Sequence, residues 1–169
     1  WTLVSAGGRI GWAMPNTVKR DPLLFVDLSH PNGKTPDMRS VVAHGYMMIV
    51  LKATQSTSYP FADWYVKNAA RVVDAAGDRF GDTFHLAAYH YFKAGVDGTK
   101  QARYHLKIIH QPTHRPTIRP IVDVEDGTDK KTLVAGLKAY YKTMIEETGQ
   151  VPILYGGSLL RELKIRGDE

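Results

Sequence analysis

The stretch "PIVDVEDG" (120–127) sets two carboxylates, Asp123 and Glu125, two residues apart in an apolar run. Side chains of a β-strand alternate between faces, so this spacing directs both acids to one face and Val122 and Val124 to the other. Two acids held together can divide the work of acid–base chemistry. The negative charge of one raises the pKa of the other, which then keeps a proton to donate. A third acid, Asp27, sits in the apolar stretch "LLFVDLS" (23–29), where burial without a partner or a role is costly. Lys52, inside "MMIVLKA", must carry its amine to the polar end of its run or to a carboxylate. The run that holds Asp27 finishes on Ser29 and His30, and other apolar runs finish on His90 and Tyr91 and on Tyr155.

Three carboxylates at one mouth suit cleavage of a glycosidic bond. One protonates the leaving oxygen, and the others stabilise positive charge at the sugar carbon or place a nucleophile. Tyrosine rings add flat faces on which a sugar can rest. The histidines admit a second chemistry, because His30 and His90 with Asp27, Asp123 and Glu125 could form a two-metal hydrolase site. No HxH or HExxH spacing is present, however, and His90 falls on the opposite strand face from Tyr91. Both histidines read as hydrogen-bonded core residues, and Asp126 and Asp129 as turn and cap residues.

These groups need elements that bring them to one place. Strands are expected at 23–29, 46–54, 84–92, 120–125 and 151–157, each apolar on nearly every residue, as in parallel strands covered on both faces. Helices are expected between them. Residues 61–77 carry Phe61, Trp64, Ala69, Val72, Val73 and Ala76 near a 3.6-residue period, with Gly77 as a stop. Residues 99–110 repeat the pattern with Ala102, Leu106 and Ile109. Residues 129–149 offer Asp129 as cap, a stripe of Leu133, Leu137, Tyr140, Met144 and Ile145, and Gly149 as terminator. A further helix opens at "SLLRELK" (158–164). Alternating strand and helix implies an α/β fold with a parallel sheet, open or barrel-like. The loop "DLSHPNGKTPD" carries neither nucleotide fingerprint, which disfavours a nucleotide-binding open sheet. In parallel α/β folds ligands bind at the carboxyl ends of the strands, where all the candidates above are found.

The 169 residues fit one domain and contain no cysteine, so disulfides and thiolate metal sites are excluded. No apolar run has the length of a membrane span. The net charge of +5 favours an anionic partner, while the scattered placement of the basic residues argues against a nucleic-acid tail.

The motifs "FVDLSHPNG", "IVLKATQSTSY", "AAYHYF", "PIVDVEDG" and "VPILYGG" resemble, in order, the strand motifs of glycoside hydrolase family 25. This family comprises lysozymes (N-acetylmuramidases) of bacteria, fungi and phages, among them phage endolysins. The resemblance spans about residues 23 to 163. It implies a modified TIM-type (β/α) barrel that cleaves the β-1,4 bond between N-acetylmuramic acid and N-acetylglucosamine in peptidoglycan, with no metal and no organic cofactor. It further implies Glu125 as general acid, Asp123 as the group supporting the reacting sugar, and Asp27 on the floor of the site. Lys52, Tyr59, Tyr91 and Tyr155 match groove-lining positions. The implied partners are glycan strands of the wall and its anionic polymers, which places the action outside the cytoplasm.

Two departures stand out. Gln55 replaces the acid of the family's Lys-Ala-Thr-Glu-Gly motif, and the family's last strands have no counterpart after "RELKIRGDE". The expected organisation is an N-terminal extension or linker over 1–22 and a barrel domain over 23–169 lacking its last strands. With Trp1 in place of an initiator Met and no signal-peptide pattern, the chain reads as part of a larger one. Two rival readings stay open: a glycan-binding module without catalysis, and a metal-dependent hydrolase.

Overall fold

The structure, a computed structural model, describes residues 2–6, 9–13, 23–80, 83–126 and 129–162. The readings made on Trp1 and on the chain's final residues lie outside them. Two strands, β1 (Thr2–Ala6) and β2 (Arg9–Ala13), form an antiparallel hairpin, and β2 pairs antiparallel with β3 (Leu23–Leu28). From β3 onward the sheet is parallel. β4 (Met48–Gln55), β5 (His85–Tyr91), β6 (Ile121–Asp123) and β7 (Ile153–Tyr155) pair in the order in which they occur in the chain.

That sequential order decides the architecture. A doubly wound sheet reverses its strand order and carries helices on both faces, whereas right-handed crossovers that always step the same way leave their helices on one face. Ile49, Leu51, Leu86, Ala88 and Val122 point to that helical face. There they pack in one core with Trp64, Tyr65 and Val72 of α2 (Ala62–Phe80), Ala102 and Leu106 of α3 (Gly98–Ile109), and Leu133 and Tyr140 of α4 (Lys130–Thr148). The alternate residues Met48, Val50, Ala87, Tyr89 and Ile121 form a second, smaller cluster on the other face, with no helix over it among the described residues. This is the winding of a (β/α) barrel. The sheet is open, since its two edges do not pair with each other among the described residues.

All five expected parallel strands are present. The hairpin before residue 23 was not expected, although "TLVSA" and "RIGWA" flank a Gly-Gly pair, a common hairpin signal. Helix α1 (Met38–Ala43) was also missed. At six residues it is too short to show a period; Asp37 caps it, and Met38 and Val42 bury its inner face. Helix α2 runs past Gly77 to Phe80. A glycine costs a helix only about 1 kcal/mol, and Phe80 is held by stacking on Phe84 and by the Thr83 hydroxyl donating to its carbonyl.

In α4 the cap and the stop stand where the sequence puts them. The Asp129 carboxylate accepts from the backbone N–H groups of Lys131 and Thr132, and Gly149 closes the helix in the left-handed region at φ 69°. Ile145 is not part of the buried stripe: it is 42% exposed, because the stripe set by Leu133, Leu137, Tyr140 and Met144 turns away from it. Helices α3 and α4 approach closely at Gly98, where a Cβ atom would stand 2.0 Å from the carbonyl oxygen of Gly136. Asp129→Ala should destabilise the protein through the lost cap, read as a lower midpoint at unchanged slope in urea unfolding. The last described element is α5 (Ser158–Glu162). Among the described residues no helix is long and apolar enough to cross a membrane.

Candidate active site

Period-two alternation carries one set of polar residues to the concave face. Asp27 follows Phe25 on β3, Lys52 follows Met48 and Val50 on β4, and Tyr91 follows Ala87 and Tyr89 on β5. Asp123 and Tyr155 lie at the ends of β6 and β7, in one register row with Tyr91. Below them a pocket is lined by Phe25, Met48, Val50, Tyr89, Ile121 and Ile153, with Asp27, Asp123 and Tyr155 as its polar wall.

β6 ends at Asp123, so Glu125 lies beyond the strand instead of within it as the alternation suggested. Asp123 is buried at 7% exposure, while Glu125 is open at the rim. The Val124 N–H still bonds to the Tyr155 carbonyl at 2.8 Å, which ties the start of this loop to β7.

Four charged groups act on one another here. Burial, then the charges of Glu125 and Asp27, push the Asp123 carboxyl up to about 7, with Lys52 opposing. Its Oδ1 atom is sealed from solvent without a hydrogen-bond partner, a costly state for an anion. Asp27 keeps a path to solvent along the open side, yet protein crowds it elsewhere. That desolvation, and then Glu125, raise it to about 6 against the pull of Lys52. Lys52 is lowered by burial, with Asp123, Asp27 and Glu125 pulling it back up. Burial and the same three acids raise the Tyr155 phenol. The site thus holds protons on carboxyl groups near neutral pH, a condition suited to acid–base work.

Lys52 is aimed by its surroundings. Its amine donates to Gln55 Oε1 at 2.8 Å and lies 4.6 Å from the Tyr91 ring centroid and 5.3 Å from that of Tyr59. Strict alternation would put residue 55 on the face opposite residue 52. A bulge between Lys52 and Thr54 rotates Gln55 back beside it. Because Gln55 is neutral, it holds the amine without neutralising its charge.

Behind the sheet a buried network fixes these strand ends. The Gln101 amide nitrogen donates to the carbonyls of Lys93 and Val96, so its Oε1 is the acceptor, taking the Lys93 N–H at 2.9 Å. His90 Nε2, 3.1 Å from that oxygen, must therefore carry the proton, and Nδ1 accepts from the Thr54 hydroxyl at 2.8 Å. Burial lowers His90 to about 4. His90 is a hydrogen-bonded core histidine as expected, stacked on His105 and Tyr140. His30 is not: it sits half-buried at the mouth, against Tyr59 and Phe61. Gln101→Leu should cost about 1–3 kcal/mol by orphaning these buried groups, measured by chemical unfolding.

The sequence reading did not identify Lys93 or Gln101 as site or support residues. Lys93 pairs with Asp126 and lies 5.9 Å from the Tyr91 ring centroid, so Asp126 is an ion-pair partner more than a turn residue. Only tertiary packing reveals that pairing. Tyr89 was visible by its alternation with Tyr91.

Comparison with known proteins gives the family and supports the fold. The model of glycosyl hydrolases family 25 matches residues 26–160. The chain belongs to glycosyl hydrolase family 25. It is thereby placed among glycosidases, the enzyme class that the motifs implied. Solved structures share the fold at low identity. A family 25 glycosyl hydrolase from Bacillus anthracis superposes with a TM-score of 0.69 at 19% identity, over 90% of this chain and 68% of that one. The modular autolysin LytC from Streptococcus pneumoniae gives 0.64 at 16% identity, over 94% and 39%. The modular Cpl-1 endolysin, complexed with a peptidoglycan analogue, gives 0.53 at 18%, over 82% and 37%. The family 25 chain described here therefore spans about two thirds of the first and under half of the other two. No curated protein sequence matches it significantly.

Proposed function

We propose that the protein hydrolyses peptidoglycan as a muramidase, cutting the β-1,4 bond between N-acetylmuramic acid and N-acetylglucosamine. The observation that carries this reading is the joint placement of Asp27, Asp123 and Glu125, with Lys52, on one aromatic-lined mouth of a family 25 chain. Glu125, open at the rim and matching the family's general acid, passes its proton to the bridging oxygen as the C1–O bond breaks. Asp123 and Asp27 face the positive charge that develops on the sugar ring, and they place the acetamido group or the water that completes hydrolysis. Tyr91 and Tyr155 line the glycan's path and Lys52 orients it, while Tyr59, buried at 8% exposure, backs the Lys52 amine from the core.

Relatives support the substrate class. LytC has been captured with a synthetic peptidoglycan ligand and Cpl-1 with a peptidoglycan analogue. On this reading the protein works outside the cytoplasm, and its net charge of +5 favours contact with an anionic wall. The barrel portion runs from residue 23, with residues 1–22 as an extension. The open sheet keeps one rival in play, a module that grips glycan without cutting it. Against the metal-dependent alternative stands His90, whose two ring nitrogens are both taken, by Thr54 and Gln101.

The test is digestion of purified peptidoglycan, followed by borohydride reduction and identification of the reduced sugar. Muramitol at the new ends supports the muramidase. Glucosaminitol would place the cut at the other glycosidic bond. Wall binding with no new reducing ends would favour the binding module.

A further inference from the structure

Among the described residues, three large hydrophobic side chains stand well exposed: Phe61, Ile145 and Val151. Ile145 and Val151 lie in the last turn of α4 and just before β7, at the amino-terminal end of the parallel strands. Phe61 lies at the opposite end, between β4 and α2, on the side of the mouth. It is 44% exposed and does not lie loose. Its ring is parallel to the His30 imidazole, with centroids 3.9 Å apart and planes at 8°. Both rings meet Tyr59 edge-on, at 5.7 and 5.9 Å.

Each member of this cluster is held from a different direction. His30 belongs to the 3-10 turn that follows β3, and its Nδ1 is hydrogen-bonded to the Tyr59 hydroxyl at 2.7 Å. The Tyr59 backbone N–H donates to the Tyr104 hydroxyl on α3 at 2.9 Å. A lone exposed phenylalanine is unremarkable. One face of this ring, however, is covered by an imidazole and its edge by a phenol, so the remaining face is presented rigidly, with little side-chain entropy left to lose on binding. The cluster is also continuous with the cleft, because Tyr59 is the ring 5.3 Å from the Lys52 amine. Tyr91, Lys52, Tyr59 and the His30–Phe61 stack make a row that leads outward from the carboxylates.

We propose that the His30–Phe61 stack is an additional saccharide subsite, taking a pyranose ring of the glycan strand beyond those at the cleaved bond. A pyranose has one face of C–H groups, which meet the electron-rich face of an aromatic ring favourably. Its hydroxyl and acetamido rim would meet the His30 Nε2, the nitrogen not engaged by Tyr59. The inference rests on the muramidase reading for its substrate, and it adds a specificity: long glycan strands are held better than the bond-cleaving machinery alone would hold them.

The test compares wild type with Phe61→Ala and Phe61→Trp, by kinetics on purified glycan strands and by cosedimentation with insoluble peptidoglycan. The expected result for Phe61→Ala is a KM about 10-fold higher with kcat within twofold, about 10-fold weaker cosedimentation and an unchanged melting temperature. Phe61→Trp, which keeps a flat face, restores both. Unchanged KM and cosedimentation in Phe61→Ala overturn the subsite while leaving the muramidase reading intact, as does a fall in kcat at constant KM. Should the wild type bind the wall without cutting it, the cosedimentation series alone decides the subsite and the catalytic reading falls. Neither binding nor cleavage by the wild type overturns both.

Discussion

Glu125→Gln should lower reducing-end release from peptidoglycan by about 10²–10⁴-fold, the range that a positioned general acid contributes. The substitution keeps the shape of the side chain and removes its proton. Glu125 is open at the rim, and none of the described hydrogen bonds or ion pairs uses its carboxylate, so melting temperature and wall binding should be preserved. A second consequence separates loss of the acid from loss of the fold. The negative charge of Glu125 contributes to the raised pKa of both Asp27 and Asp123, so both should titrate lower in the variant. Carboxyl resonances followed by NMR would report that change even with activity gone. Retention of more than about a tenth of the wild-type rate would refute Glu125 as proton donor.

The second large effect is on stability, and its signature is pH dependence. The folded-state pKa of Asp123, about 7, lies above the ordinary aspartate value of 3.8, so the folded protein binds this proton more tightly than the unfolded chain does. Stability from this source is complete below about pH 4 and is lost as pH rises towards 7. Asp27, raised to about 6, acts in the same direction. The buried histidines act in the opposite direction. His90 is lowered from 6.5 to about 4 and His105 lies well below its ordinary value, so their contribution is complete above about 6.5 and is lost as pH falls. In the wild type the two pairs offset each other between about pH 4 and 6.5 and flatten the profile.

Asp123→Asn removes the larger of the two carboxyl contributions to that balance and leaves Asp27. Relative to wild type it should gain on the order of a few kcal/mol between pH 4 and 8. The variant's own stability should fall more steeply on acidification than the wild type's, because only Asp27 still opposes the histidines. Chemical unfolding of both proteins at half-unit pH steps measures this. A difference between them that does not change with pH would mean that Asp123 ionises in the folded protein as it does in the unfolded chain. The offset at any one pH matters less, since a buried Asn amide brings its own unpaired donors.

Local chemistry in the sequence carried much of the fold. Strand positions followed from runs of β-branched and aromatic residues, and α4 followed from Asp129, a periodic stripe and Gly149, because these signals act over a few residues. The hairpin of β1 and β2, and the short α1, depend on pairing and docking that no local period records. Phe61 shows the same limit. Its spacing fits the inner stripe of α2, yet it precedes the helix and turns outward onto His30.

The site divides along the same line. Residue types and spacing were enough to single out Asp27, Asp123, Glu125 and Lys52, because a strand's period of two and the habit of binding at carboxyl ends hold before any packing is known. Packing alone set how each behaves. β6 stops at Asp123, so one acid of the pair is buried and raised to about 7 while the other stands at the rim. A single bulge turns Gln55 towards Lys52, and the Lys93–Asp126 pair joins two loops that are distant in the chain. Desolvation and through-space charge depend on everything that surrounds a group, and that is a property of the folded chain.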